Sequence, residues 1–409
     1  MPILNKINGR KILEPVVRFL QLESASGIIL LIMTVAALLL ANSPWSKEFL
    51  HFWEVEIGLV AGSQDWAKPL HFWINDLLMA IFFLVAGLEI KRELVTGEFR
   101  DPKKALLPIL AALGGMLVPG AIYISLRHGQ AGQEGWGIPI ATDIAFVVGF
   151  LSLLGSRVPL GLKILLLALA IADDIGAIIV VALFYSGKIA FIWLGLGMVG
   201  LLAIHLIGRA GVRSWLPYLA LGLAIWWAFS QSGVHPAVAG VLLGLLASTR
   251  KSSSSELKGN GETANGSSTL EDLEDRLHPW VAYLIMPLFA FSNAGVALDF
   301  HSITHPVALS VALSLLMGKP AGIFLFTWVG VKLGLVRLPT GVNWKILAGG
   351  GILGGIGFTM SLFIAGLALE GDLLSAGKIG TLAGSLLSAL LGCLWLFFAL
   401  PKSPSGVGK

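Results

Sequence analysis

The sequence predicts an all-α polytopic membrane protein. It has twelve transmembrane helices, inverted repeats made of spans three to five and ten to twelve, two broken crossing helices (spans four and eleven), and a small external β-hairpin. Three observations carry that prediction. The 409 residues are 56% hydrophobic and 13% charged, with a mean hydropathy of +0.84, whereas soluble domains carry about 25% charged residues. Twelve apolar runs approach the roughly 20 residues that cross a bilayer. Two of those runs, at the same rank in two triplets, are interrupted by proline or by clustered glycine.

The runs fall at 25–42, 70–95, 104–126, 136–155, 160–185, 189–208, 214–230, 233–249, 278–298, 306–331, 345–369 and 375–400. Helix is forced on them because lipid offers no partner for backbone N–H and C=O groups. They make one transmembrane domain, 25–400. A basic amphipathic N-terminal segment, 1–24, with no cleavable signal pattern, precedes it, and a short tail, 401–409, follows. The loop 43–69 contains a partly alternating stretch at 51–60 followed by Ala61, Gly62 and Ser63. This pattern reads as a hairpin within 45–68; an irregular surface loop is the other reading. A lone hairpin is marginal in water, so its edge is expected to pair with a second copy of the chain. Residues 250–270 are rich in Ser, Gly and Asn and read as a flexible linker, leading into a short acidic helix at 270–277.

Charge sets the expected orientation. With the N-terminus inside, 22 of the 28 lysines and arginines fall in cytoplasmic segments and 5 outside; the remaining one is Lys319, within span ten. That bias follows the positive-inside rule and places both termini in the cytoplasm. It also accounts for the pI of 9.1 without nucleic acid as a partner. The single cysteine, Cys393, excludes a disulfide framework and a cysteine-based metal site.

The chemistry lies in the charges left inside the apolar runs. Asp173 and Asp174 sit mid-way along span five. A carboxylate at mid-bilayer costs about 2.5–3.5 kcal/mol on insertion scales. A pair is retained only to bind a cation, carry protons, or do both. In span four, Pro139 removes a backbone donor, and Thr142 and Asp143 follow it as hard oxygen ligands suited to Na+ or Li+. An ordinary proline kink is the other reading. In span eleven, Gly349, Gly350, Gly351, Gly354, Gly355 and Gly357 crowd one stretch. They mark either an unwound segment or close helix packing through small residues. Span three runs outward and span ten inward, so the two interrupted helices occupy corresponding places in oppositely oriented triplets. That is the pattern of inverted-repeat transporters, with a site at the midplane.

Two crossing broken helices put positive and negative helix ends inside the membrane. Asp143 can offset the positive ends. Lys319 can offset the negative ends, or pair with Asp173 or Asp174. Successive helical residues diverge by about 100°, so one aspartate can face the ion and the other Lys319 or water. A carboxyl holding either a proton or Na+ is sufficient for exchange, given alternating access. At the cytoplasmic ends of spans two and nine, Glu89, Arg92, Glu274, Asp275 and His278 cluster. They read as a pH-sensing group or as solvated helix ends. His235, at the outer start of span eight, reads as an interfacial residue.

These stretches closely resemble the NhaA-type sodium/proton antiporters of bacterial inner membranes. The likeness covers about 25–400 and rests on 73–76 (WIND), 87–94 (GLEIKREL), 141–146 (ATDIAF), 153–160 (LLGSRVPL), 172–178 (ADDIGAI), 232–235 (SGVH), 278–284 (HPWVAYL), 318–320 (GKP) and 355–361 (GIGFTMS). That family is itself an established example of the inverted-repeat build, so the two inferences are not independent. The resemblance implies that Asp173 and Asp174 form the ion- and proton-binding pair, and that Thr142 and Asp143 lie at the helix crossing. It implies that Lys319 stabilises the crossing and pairs with Asp173. Glu89, Arg92, Glu274 and His278 would match the pH-responsive group, and the hairpin a homodimer contact. It further implies electrogenic export of Na+ or Li+ for protons, with no cofactor beyond the transported ion. Asp275 departs from the family pattern, which has histidine there, and puts the pH profile in question.

Three other readings compete. A sodium-coupled organic-solute symporter of inverted-repeat build would need a polar solute cavity, and the spans offer little polar equipment for one. An intramembrane aspartyl protease would need Gly-x-Gly-Asp, but the only Gly-Asp, at 371–372, follows Leu-Glu, so no enzyme is expected. A passive channel would not need a lysine to compensate buried carboxylates.

Overall fold

A computed structural model describes residues 25–401 except 59, 62, 63, 66, 211–214, 248–268 and 299. The N-terminal segment 1–24, the linker up to 268, four residues of the 45–68 segment and all of the tail after 401 lie outside the described residues. The chain divides into two compact units. One comprises residues up to Val55, Asp101–Ala177 and Met286 onward; the other comprises Glu56–Arg100 and Ile178–Ile285.

The first unit begins with α1 (Ala25–Ala41) and α2 (Ser46–Phe52). Next come α4 (Pro102–Arg127), a 3-10 helix (Gln133–Ile140), α5 (Ile144–Leu153) and α6 (Leu160–Phe184), which belongs to this unit as far as Ala177. The unit closes with α11 (Met286–Asn293), α12 (Phe300–Thr304), α13 (Pro306–Lys332), α14 (Trp344–Gly354), α15 (Phe358–Ala368) and α16 (Gly371–Ala399). Asp101 caps α4 by accepting from the Lys103 amide at 3.0 Å, ahead of Pro102, a placement that suits proline because the first helical N–H has no partner to lose. α4 and α13 touch backbone to backbone: a Cβ on Gly114 would land on the Gly322 carbonyl, and one on Gly322 on that of Gly114. α16 lies as closely on α13 at Gly380, opposite Ala308, and on α14 at Gly392, opposite Leu353. Without hydrophobic drive between helices in lipid, such small-residue contacts supply the packing.

The second unit holds four short strands, α3 (Leu70–Val95), α7 (Phe191–Arg209), α8 (Trp215–Ser232), α9 (Pro236–Leu246) and α10 (Thr269–Trp280). β1 (Glu56–Ile57) pairs antiparallel with β4 (Lys68–Pro69), and β2 (Val60–Ala61) with β3 (Gln64–Asp65). The Trp73 indole N–H donates to the Ile57 carbonyl at 2.9 Å, tying these strands to α3. Gly240 and Gly244 of α9 face the Ala80 and Leu84 carbonyls of α3 with no room for a side chain.

Among the described residues, six helices (α3, α4, α6, α7, α13 and α16) are long and apolar enough to cross a bilayer. The count rises to eight if each of two bent pairs is one crossing. The remaining expected intervals hold shorter or less apolar helices: α1, α8, α9 and α11. The bent pairs are the 3-10 helix with α5 and α14 with α15, each bent by 44°. They are the two interruptions read from the sequence, but each break is narrower than expected. The first falls at 141–143 rather than at Pro139, which the 3-10 helix accommodates. In the second, Gly349, Gly350 and Gly351 stay helical and only 355–357 leave the helix. A Cβ at Gly349 would meet Leu396, and one at Gly350 would meet Leu162. Of the six glycines in the run, Gly349, Gly350, Gly351 and Gly354 stay in α14, and Gly355 and Gly357 lie in the break.

Candidate functional site

The two breaks meet in the first unit. After the 3-10 helix ends at Ile140, Ala141 is extended (φ −86°, ψ 154°), and so is Asp143 (φ −94°, ψ 104°). The Asp143 amide donates to the Ile356 carbonyl at 2.7 Å, so the backbones of the two breaks are hydrogen-bonded to each other. Phe146 and Phe358, just past the breaks, pack with ring centroids 4.3 Å apart.

Each interrupted helix leaves unpaired amides on one side and unpaired carbonyls on the other, and lipid satisfies neither. The crossing satisfies them with side chains. At the amide ends, Asp143 Oδ1 accepts from the Phe146 amide of α5 at 3.2 Å, and Oδ2 accepts from the Thr359 amide of α15 at 3.1 Å and from the Thr359 hydroxyl. One carboxylate thus caps two helices. Ser385 Oγ, reaching from α16, accepts from the Phe358 amide at 3.1 Å. At the carbonyl ends, Ser361 Oγ donates to Ile138 O at 2.6 Å, Lys319 Nζ donates to Ile140 O, and Thr142 Oγ1 lies 3.2 Å from Gly354 O.

Asp173 and Lys319 are both 0% exposed, and Nζ lies 3.0 Å from Asp173 Oδ2. The sequence left open whether Lys319 serves helix ends or aspartates; it does both. Thr142 Oγ1 donates to the same Asp173 oxygen at 2.6 Å, its shorter contact. The other oxygen, Asp173 Oδ1, is buried with no hydrogen-bond partner among the described residues. Asp174, half-buried at the next helical position, adds a second negative charge to the field at Lys319. Among the described residues, no group of three or more His, Cys, Asp and Glu is arranged to hold a metal ion. The oxygens offered to a passing cation would come from two carboxylates and a hydroxyl.

A second cluster forms in the other unit, where α10 meets the end of α3. Arg92 Nη1 forms an ion pair with Glu274 Oε1, and His278 Nδ1 lies 3.4 Å from Glu89 Oε1. Burial pushes the Glu274 carboxyl up to about 7; Arg92 and His278 oppose that shift, whereas Glu89 and Asp275 add to it. Four of the five residues read as pH-sensing therefore come together. Asp275 does not join them: it is exposed on the outer side of α10 and acts only at a distance. His235, read as interfacial, caps α9, with Nδ1 accepting from the Ala237 amide at 3.2 Å.

The sequence reading missed Thr359, Ser361 and Ser385 as parts of the crossing. Thr359 and Ser361 lie in the resembling stretch 355–361 without having been given roles. Ser385 had a fainter signal: Thr381, Ser385 and Ser388 recur at helical spacing along one face of an otherwise apolar span. Buried hydroxyls are numerous, and those at the crossing serve helix ends.

The family described as Na+/H+ antiporter 1 matches residues 17–396 of this chain. The Na(+)/H(+) antiporter NhaA of Rhodopirellula baltica is 46% identical over 418 residues, covering 95% of this chain and 95% of that one. The Na(+)/H(+) antiporter NhaA of Shewanella sp. (strain ANA-3) is 47% identical over 394 residues, covering 94% of this chain and 97% of that one. Among solved structures, the sodium proton antiporter MjNhaP1 from Methanocaldococcus jannaschii aligns with a TM-score of 0.52 at 16% identity, covering 96% of this chain and 100% of that one. At that identity the likeness is one of fold.

Proposed function

The chain belongs to the Na+/H+ antiporter 1 family, and from that premise we propose that it exports Na+ or Li+ in exchange for protons, electrogenically and by alternating access. The observation that carries this reading is the state of Asp173. One of its oxygens is engaged by Lys319 and Thr142, and the other is buried without a partner among the described residues. A buried carboxylate with a free oxygen binds either a cation or a proton, and the two exclude one another. Asp174, one position on, would be the second member of the exchanging pair, with Thr142 a neutral ligand. Asp143 would stay ionised as the cap of both broken helices. Lys319 would hold the charge balance when no cation is present.

The finer parts of this reading are proposals of the same kind. The chain would lie in the bacterial inner membrane with both termini cytoplasmic, supported by the apolar helices and the charge bias. The spans would number twelve, in two inverted repeats. Glu89, Arg92, Glu274 and His278 would set the pH at which exchange begins. Two copies would associate through the strands within 45–68.

Reconstitution tests the exchange. Proteoliposomes loaded with a pH-sensitive dye should show proton movement when Na+ or Li+ is added on one side, and a membrane potential should change its rate. Sodium uptake with no opposing proton movement, or sodium movement that needs an organic solute, would overturn the assignment in favour of a channel or a symporter.

A further inference from the structure

We propose that Ser385 is a positioning residue for the cation site, acting through the Phe358 amide. The inference rests on the exchange function proposed above, which assigns it no part. α15 begins at Phe358, and its first two amides are held from outside the helix: Thr359 N by Asp143 Oδ2 and Phe358 N by Ser385 Oγ. The two caps differ in charge. Asp143 brings a full negative charge that it must also share with the Phe146 amide of α5. Ser385 brings a neutral acceptor from α16, which lies tight against α13 and α14 through Gly380 and Gly392. α16 thus acts as a fixed post that sets where α15 starts. Because Thr359 follows Phe358, it also sets where the Thr359 amide and hydroxyl meet Asp143.

Without the Ser385 oxygen, the Phe358 amide would present its partial positive charge to the crossing, beside Asp143 and within the field of Asp173, Asp174 and Lys319. A bare N–H there opposes a second positive charge. It weakens cation binding more than it slows the conformational steps.

The same helix face supplies its own control. Thr381 and Ser388 flank Ser385 at helical spacing and are fully buried, yet their hydroxyls have no hydrogen-bond partner among the described residues. If any hydroxyl on this face influenced the site merely by polarity, these two would do so as well. If the effect runs through the Phe358 amide, only Ser385 matters.

The experiment measures Na+-dependent proton exchange in proteoliposomes for the parent chain, Ser385→Ala, Ser385→Thr, Ser385→Val and Ser388→Ala. Losing one acceptor at a buried amide corresponds to about a fivefold rise in the Na+ concentration for half-maximal rate. That rise is expected for Ser385→Ala and Ser385→Val, with the maximal rate largely kept. Ser385→Thr, which has the shape of valine and the acceptor of serine, should restore the parent value. Ser388→Ala should leave it unchanged. If Ser385→Ala fails to insert, the Thr and Val pair decides, because they differ only in the hydroxyl. Equal values for Ser385→Thr and Ser385→Val, or an equal rise in Ser388→Ala, would overturn the proposal. Absence of exchange in the parent chain would instead overturn the antiport reading on which it rests.

Discussion

Asp173 and Asp174 are chain neighbours in different surroundings: the first is sealed against Lys319 and Thr142, and the second is half-buried beside them. Their roles should separate on substitution. Asp174→Asn keeps the shape and removes the charge, so exchange in proteoliposomes should fall to the protein-free background while the chain still inserts and folds. Lys319→Ala strips the partner from a buried carboxylate and the donor from Ile140 O. Breaking a buried pair in this way costs about 3–5 kcal/mol, so the melting temperature should drop clearly; an unchanged value would refute the pairing. Glu274 gives a pH prediction with a definite sign. Its folded carboxyl titrates near pH 7, above the ordinary 4.5. Between those values the unfolded chain has already released its proton, so stability falls as pH rises from about 4.5 to 7 and then levels. Glu274→Gln should remove that decline, and the gap in melting temperature between variant and parent should widen across this window only.

At the scale of elements, the broken helices illustrate what a pattern conveys and what it leaves out. Pro139 and the glycine run announced interruptions in spans four and eleven, because proline lacks a donor and glycine weakens helix wherever they stand. The exact breaks, 141–143 and 355–357, were not legible. Which glycines pack and which unwind depends on whether Leu162 and Leu396 lie opposite, and those residues come from distant elements. Ser385 stayed hidden for the same reason, since a serine in an apolar span acquires meaning only when an amide from another helix reaches it. The α4–α13 contact makes a further prediction. Gly114→Ala would drive a methyl into the Gly322 carbonyl, and overpacking of this kind costs about 1–3 kcal/mol. Thermal unfolding in detergent should show that loss, and the Na+ dependence of any exchange that remains should be unaltered.

For the whole molecule, the buried charges and the helix ends form one account in the first unit. Asp143, Ser361, Ser385 and Lys319 between them answer amides and carbonyls that the two broken helices expose. Asp173 Oδ1 is left buried with no hydrogen-bond partner among the described residues. The strands at 56–69 lie apart from that account. Deleting 46–64 should therefore leave exchange per chain intact and weaken association between copies, as read by mass photometry in detergent at falling protein concentration. Loss of exchange by the separated chains would show that this segment does more than join them.

The order of residues alone determined that the chain is apolar and helical, that two of its apolar runs are interrupted, and that Thr142, Asp143, Asp173, Asp174 and Lys319 are the polar and charged groups placed inside those runs. Composition and the price of a charge in lipid act locally, so a single chain displays them without its fold. Only the tertiary structure decided that Lys319 serves a carboxylate and a helix end together, that one aspartate caps two helices, that Asp275 stands outside its cluster, and that Ser385 reaches the Phe358 amide. Each of these is a contact between distant segments, and the geometry of such a contact is fixed by packing.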